Sequence, residues 1–436
     1  MRILIWHGYL LDGTGSNVYT RALARAWSRA GHEVVVVCQE PHPERYDLGG
    51  ARVVRPRLDG PLPVFVLDRY ADAEPRLLTE TAPADRERFV RQNAQAVRAL
   101  GPADLLLANH VLLGGPVAAA SDIPHVVKAH GSELEFAMRG RPDLCTWARE
   151  SLAGATAVLA GSDHVAGVLE ELVAPPVGSV HVVPPGVDVD ELRPRDRESA
   201  LADLLVECEH DTPNPADGHD ERRPDEGNGE RLAAFFSDHR KTVVYVGKLS
   251  EEKGVALLLE ALRRVDARAV VVGFGPARSE LEAAAGPDVL FTGPLEHRHL
   301  AQLWPLADVS VTPSVFPEAF GMVAAEAASC GSPPLVARHS GLAEVAAGVE
   351  DQYPEHLRGL AGFEHGNPED LADKLTTLLA LGPDDWQTLS TSARHAAERL
   401  WSWERVATRV LDVGAGAGRT AAPQTAVSRP GPATGS

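Results

Sequence analysis

The 436-residue sequence predicts an α/β protein of two Rossmann-like domains, each with its own doubly wound parallel sheet. Three observations predict it. Short Val/Leu/Ile runs alternate with helical patterns, as in strands buried on both faces by crossover helices. The alternation stops at a polar, acidic break. It then restarts and runs to residue 400.

In the first half the strand-like runs are Ile3–Trp6, Val34–Val37, Leu105–Ala108, Val126–Ala129, Ala157–Ala160 and Val180–Val183. The first is followed by a turn, His7 to Asn17, that holds Gly13 and Gly15, and then by a helix expected over Val18 to Ala30. Gly31 suits the left-handed position that closes such a helix. Ser16 or Asn17 is expected to cap its start. The turn departs from the dinucleotide fingerprint G-x-G-x-x-G, since position 18 is Val, and taken alone it also fits an ordinary tight turn. The second half repeats the pattern at Val243–Val246, Val270–Val272, Val289–Phe291, Val309–Thr312 and Leu335–Ala337. Domains are therefore expected over 1–188 and 189–400. The break, Glu207 to Glu230, has too few apolar residues to fold alone and is expected to be a flexible insertion. Trp401 to Val413 reads as an amphipathic helix that docks elsewhere, and 414–436 as a disordered Gly/Ala/Thr/Pro-rich tail.

Composition narrows the partners. With 42 basic and 61 acidic residues the formal charge is −19, which disfavours nucleic acid and anionic membranes as main partners. Cys38, Cys145, Cys208 and Cys330 lie far apart without metal-type spacing, and the 17 histidines form no evident metal motif. Reduced thiols and a cytoplasmic location are expected. The chain opens on a strand, not a signal peptide, and no apolar run approaches the ~20 residues that a membrane span needs.

The most informative stretch runs from Pro313 to Gly331. A strand ends just before it, Glu318 sits in the following loop, and Phe320, Gly321 and Met322 open a helix that carries Glu326. Ligands of open parallel sheets bind at this edge. Helix-start N–H groups attract phosphate, and flanking carboxylates can hold sugar hydroxyls. A nucleotide sugar presents that combination. Acidic residues at helix starts are also favourable for dipole reasons alone, so the pair gains meaning from its neighbours. Lys248 and Lys253 flank the loop after the strand Val243–Val246 and can neutralise a departing diphosphate. His130 follows the strand Val126–Ala129 directly. Gly273–Pro276 is another Gly-rich turn.

These residues resemble the family 4 retaining glycosyltransferases, which adopt the GT-B fold of two Rossmann-like domains facing across a cleft. P-S-x-x-x-E-x-F-G-x-x-x-x-E-A-x-x-x-G looks like that family's donor signature, and V-G-K-L-S-E-E-K-G like its phosphate loop. The run Phe291 to Ser314, Gly161–Asp163, Val183–Asp188 and the closing W-S-W-E-R-V-A also fit. The resemblance implies roles. Glu318 would hold a donor-sugar hydroxyl and help set up same-face attack. Glu326 would bind the ribose. Lys248 and Lys253 would neutralise the diphosphate. Backbone N–H groups of Gly15, Phe320, Gly321 and Met322 would contact phosphate or sugar, and His130 would meet the reacting centre. The acceptor would lie around Tyr9–Asp12, Phe65–Tyr70 and His130–Arg141. The last helix would cross back to the first domain.

The implied enzyme transfers a hexose from a nucleoside-diphosphate sugar to a small hydroxylated acceptor, with no cofactor and no metal, as a monomer or homodimer. Three positions depart from the family's habit. Pro185 replaces an Asn in the interdomain P-x-G-V-D. Lys248 replaces an Arg and lacks its planar fork. Ala319 stands where Gly is common, which requires a negative φ there. Two other readings stay open: a GT-B epimerase or phosphorylase, and a non-catalytic sugar-nucleotide binder. Nothing near Gly273–Pro276 or Phe291–His297 distinguishes the nucleotide base.

Overall fold

The computed structural model describes residues 1–67 and 73–416. The tail call therefore falls almost wholly outside the described residues, as do 68–70 of the expected acceptor segment. In chain order the first part runs β1 (Arg2–Trp6), α1 (Gly15–Arg29), β2 (Glu33–Val37), β3 (Arg52–Val54), β4 (Leu62–Val64), β5 (Pro75–Leu77), α2 (Pro83–Ala99), β6 (Leu105–Asn109), α3 (Gly114–Ala119), β7 (His125–Lys128), α4 (Pro142–Leu152), β8 (Ala157–Ala160), α5 (Asp163–Leu172) and β9 (Val180–Val182). The second runs α6 (Arg197–Glu209), α7 (Asn228–Phe235), β10 (Thr242–Val246), α8 (Val255–Leu262), β11 (Arg268–Val272), α9 (Arg278–Ala284), β12 (Val289–Phe291), α10 (His297–Leu303), β13 (Val309–Thr312), α11 (Met322–Ser329), β14 (Pro334–Ala337), α12 (Ser340–Glu350), β15 (Gly362–Phe363), α13 (Pro368–Leu379) and α14 (Pro383–Ala396), and α15 (Trp403–Gly414) closes the chain.

The first sheet has the order β3-β2-β1-β6-β7-β8-β9 and the second β12-β11-β10-β13-β14-β15. Their ladders are parallel throughout. Both are doubly wound, and strand order reverses between β1 and β6 and between β10 and β13. Those reversals open the crevice at the carboxyl ends of the strands, where such folds bind ligands. The strand cores are fully apolar: Ile3, Leu4, Ile5, Val243 and Val244 have no solvent exposure.

Helix α15 does not stay with the second domain. Trp403, Val406, Ala407 and Val410 join the core formed by α1 and one face of the first sheet. Trp27 Nε1 donates to the Ala407 carbonyl at 3.0 Å. Trp401, two residues earlier, belongs to the second domain's core. The outgoing and returning strands touch as they pass: Val187 N–H donates to Trp401 O at 2.6 Å, and Val187 bridges Ser402.

Two local expectations are corrected. Helix α1 begins at Gly15, three residues early, behind Thr14, and no side chain caps it. Asn17 instead turns inward to His7 Nε2 at 2.7 Å. The segment Glu207–Glu230 is not a loose solvated loop. Its first residues finish α6 and its last begin α7. Between them Asn214, only 3% exposed, donates to the carbonyls of Asp220 and Pro224, and Asp225 holds Arg278 at 2.9 Å. Arg298 of α10 ties down Glu207 and Asp211. Polar pairing supplies the anchorage that apolar burial could not.

Candidate active site: a cleft between two sheet edges

The first wall comes from polar residues at the carboxyl ends of β1, β6 and β7. His130 Nε2 lies 2.6 Å from Asn109 Oδ1, Asn109 Nδ2 donates to Thr20 Oγ1 at 3.1 Å, and Thr20 donates to Ser16 O at 2.8 Å. Behind them His110 meets the buried carboxylate of Glu133 at 3.2 Å. Glu133 also accepts from the His130 backbone N–H at 2.9 Å. Lys128 is buried and donates to Val183 O at 2.9 Å. Burial lowers its ammonium to about 7, partly offset by Glu133. Burial and the neighbouring His110 and Lys128 hold His130 well below the usual imidazole range. His130 is therefore neutral at pH 7 and acts through hydrogen bonds.

The second wall comes from the loops after β10 and β13. Lys253 pairs with the Glu318 carboxylate, which also accepts from Ser314 Oγ at 2.7 Å. The loop carrying Glu318 is fixed on both sides. Its N–H donates to Ser340 Oγ at 2.9 Å, its carbonyl accepts from Gly341 N–H at 3.0 Å, and His339 Nε2 reaches Ser314 O at 2.7 Å. Ser340 takes a positive φ of 49° to do this, while Ala319 has no positive φ. Lys248 is exposed, with its carbonyl held by Tyr245 Oη at 2.9 Å.

The walls enclose a cleft of about 480 Å³ lined by Gly15, His130, Lys248, Lys253, Glu318, Phe320, Gly321 and Met322 among others. Two helix starts meet in it. A Cβ placed on Gly15, first residue of α1, would stand 3.7 Å from Met322 Sδ, in the first residue of α11. Gly321, at φ 110°, turns the chain into α11. Among the described residues no acceptor takes the N–H groups of Phe320, Gly321 or Met322. The Phe320 ring is buried against Trp401, centroids 5.7 Å apart, so the backbone is what it offers to the cleft. Paired helix dipoles, unpaired N–H donors and two lysines make an anion site.

Comparison with known proteins agrees with this geometry. Residues 13–191 match the family described as Glycosyltransferase Family 4, and residues 240–381 match Glycosyl transferases group 1. The D-inositol 3-phosphate glycosyltransferase of Xylanimonas cellulosilytica is 30% identical over 428 residues, covering 92% of this chain and 91% of that protein. This chain belongs to the family 4 glycosyltransferases. The protein of the same name from Mycobacterium tuberculosis F11 is 29% identical over 427 residues, covering 92% of this chain and 78% of the relative. In fold this glycosyltransferase resembles sucrose-phosphate synthase from Thermosynechococcus elongatus, with a TM-score of 0.67, 20% identity, and coverage of 96% of this chain and 100% of that one. Anabaena Alr3699/HepE, solved in complex with UDP-glucose, gives a TM-score of 0.67 at 17% identity, covering 95% and 100%. The architecture is GT-B.

Within the glycosyltransferase's cleft nearly all expected site residues converge. Glu326 stands apart. It is 7% exposed on α11, does not line the cleft, and reaches His297 Nε2 at 3.4 Å. Its carboxylate raises the His297 imidazole above the usual range. Sequence reading missed Asn109, His110, Glu133, Lys128 and His7 as one network. The available signal was positional: each lies at or just beyond the end of β1, β6 or β7. It also missed a grouping away from the cleft, Cys208, Asp211 and His299, whose ligand-type atoms lie within 4.8 Å of one another. There Asp211 already accepts from Arg298, and His299 Nε2 lies 3.1 Å from it, so the group serves as an anchor of the insertion. Among the described residues no helix is long and apolar enough to cross a membrane.

Proposed function

We propose that this chain moves a hexose from a nucleoside-diphosphate sugar to a hydroxylated acceptor, with retention at the anomeric carbon and without a metal ion. The observation that carries this reading is the meeting of the α1 and α11 starts beside Lys248 and the Lys253–Glu318 pair. A diphosphate placed there receives backbone N–H donors, two dipole ends and two cations. The Glu318 carboxylate, fixed by Ser314 and Ser340, is placed to accept from a sugar hydroxyl beside it.

Glu318 is the one carboxylate among the described residues that line this cleft, so they offer no carboxylate pair to cage a divalent cation. Fixed lysines then carry the electrostatic stabilisation as charge develops on the leaving diphosphate. Retention follows from an attack on the face that the leaving group vacates. The acceptor oxygen bonds to the anomeric carbon, the bond to the diphosphate oxygen breaks, and that oxygen takes the acceptor's proton. His130, neutral and held by Asn109, orients a hydroxyl near the reacting centre. Two relatives at 30% and 29% identity bear the name D-inositol 3-phosphate glycosyltransferase, which supports a sugar donor and a hydroxylated acceptor.

A thermal-shift panel of UDP-, GDP-, ADP- and dTDP-sugars identifies the donor. Proton NMR of the product's anomeric signal, with and without EDTA, then tests retention and metal independence. An inverted product or EDTA-abolished transfer contradicts the mechanism.

A further inference from the structure

A second space opens from the cleft. It is a groove of about 790 Å³ that shares Phe65, Ser132, Glu318 and Ala319 with the cleft and runs outward between the domains. Its floor on the first domain is apolar: Leu77, Leu134, Val165 and Val168. Its mouth is unusual for a soluble surface. Of the nine exposed large apolar side chains among the described residues, four line this groove: Val66, Leu67, Phe136 and Phe316. Such concentration marks a binding surface, whereas scattered single residues do not.

Two of these side chains face each other across the domain gap. The rings of Phe136, after β7, and Phe316, after β13, are nearly parallel, with an interplanar angle of 7° and centroids 6.4 Å apart. Neither is buried, at 60% and 40% exposure. A flat ring between two others needs roughly 7 Å, two carbon contacts of about 3.5 Å each. A small opening of the domains admits one.

We propose that this groove seats the acceptor's flat apolar body, so that the acceptor is a soluble phenol or fused-ring alcohol whose hydroxyl enters the cleft at His130. This rests on the glycosyltransferase reading and specifies its substrate class. The bond changes are those given above, with the phenolic or alcoholic oxygen as nucleophile. Charge argues against two other occupants. A phosphorylated polyol needs cations on the first domain's side, and the described residues that line the groove there include no lysine or arginine, while the one carboxylate among them, Glu135, is already paired with Arg139. An anionic membrane is disfavoured by the −19 formal charge.

The test uses the full chain and three probes. 4-Methylumbelliferone is titrated by fluorescence, myo-inositol 1-phosphate by calorimetry, and phosphatidylcholine/phosphatidylglycerol vesicles by co-sedimentation. The expected result is saturable binding of the phenol, weakened about tenfold by Phe136→Ala and by Phe316→Ala, with nucleotide affinity unchanged in both. No saturable phenol binding overturns the proposal. So does phenol binding indifferent to both substitutions, tighter binding of the inositol phosphate, or vesicle binding that Phe136→Ala abolishes. Nucleotide binding is measured on the same samples. Its absence sinks the donor reading, whereas its presence without phenol binding sinks only the acceptor assignment.

Discussion

The Nε2 of His130 stands 2.6 Å from Oδ1 of Asn109, and that bond selects the ring's tautomer. Asn109 gives its amide hydrogens to Thr20, so its oxygen must accept, and His130 must donate from Nε2. The other ring nitrogen is left as an acceptor for a substrate hydroxyl. Asn109→Leu removes the selection. A net hydrogen bond is worth about 1 kcal/mol, so kcat is expected to fall about fivefold while the melting temperature shows an intact fold. Unchanged kcat in a transfer assay would show that the tautomer does not matter.

Lys253 and Glu318 neutralise each other before any donor arrives. Glu318→Gln frees the lysine and removes an anion beside the incoming diphosphate. Nucleotide affinity is therefore expected to hold or rise while kcat falls by about 10² or more, the scale of losing a charged contact made to the reacting sugar. Lys253→Ala has the opposite signature: nucleoside diphosphate binding falls roughly 10- to 100-fold in calorimetry. Equal losses of both quantities in both variants would contradict the division of roles.

The phosphate loop depends on a backbone contact that tolerates no side chain. Gly273 sits at φ 143°, and a Cβ there would lie 1.8 Å from the Gly247 carbonyl. Gly273→Ala forces the β10 and β11 loops apart. A loss of about 3 kcal/mol or more is expected, read as a lower melting temperature with lost nucleotide binding. Gly13, with nothing within 4 Å of a Cβ, is the control: its φ of 95° is strained for alanine, but no neighbour must move.

Stability should rise with pH across the acid and neutral range. Burial lowers His7 to about 3 and Lys128 to about 7. Each is depressed in the fold, so the unfolded chain binds more protons and acid favours unfolding. For His7 the effect acts as pH falls from about 6.5 towards 3. For Lys128 it acts from about 10.5 down to 7. One pKa unit corresponds to about 1.4 kcal/mol, so His7 alone removes about 2 kcal/mol between pH 6.5 and 5. Chemical denaturation at pH 5, 6.5 and 8 checks this, and a flat profile would rule out a neutral buried His7.

The sequence made the two sheets legible because both faces of each central strand are covered, which leaves unbroken runs such as Leu105–Ala108. Strands β3, β4, β5 and β15 escaped although β9 and β12 are no longer than three residues: arginine opens β3, proline interrupts β4 and opens β5, and β15 holds only two residues. The donor wall was legible because Lys248 to Lys253 and Glu318 to Glu326 are each local in sequence. The facing wall was not. Asn109, His130 and Thr20 meet only after three segments fold together. The polar anchorage of 207–230 was hidden for a related reason: its partners, Arg278 and Arg298, lie 50 or more residues downstream.

Helix α15 bears on how the chain is made. The amino-terminal domain leaves the ribosome first, yet the face formed by Tyr19, Trp27 and Leu23 is covered by Trp403 and Val406. That face must wait, bare, until Trp403 to Val413 emerge. The first-made half is thus the last to be finished, and premature termination anywhere before Trp403 yields a product whose aggregation tendency, rather than its missing activity, brings it to chaperones and proteases.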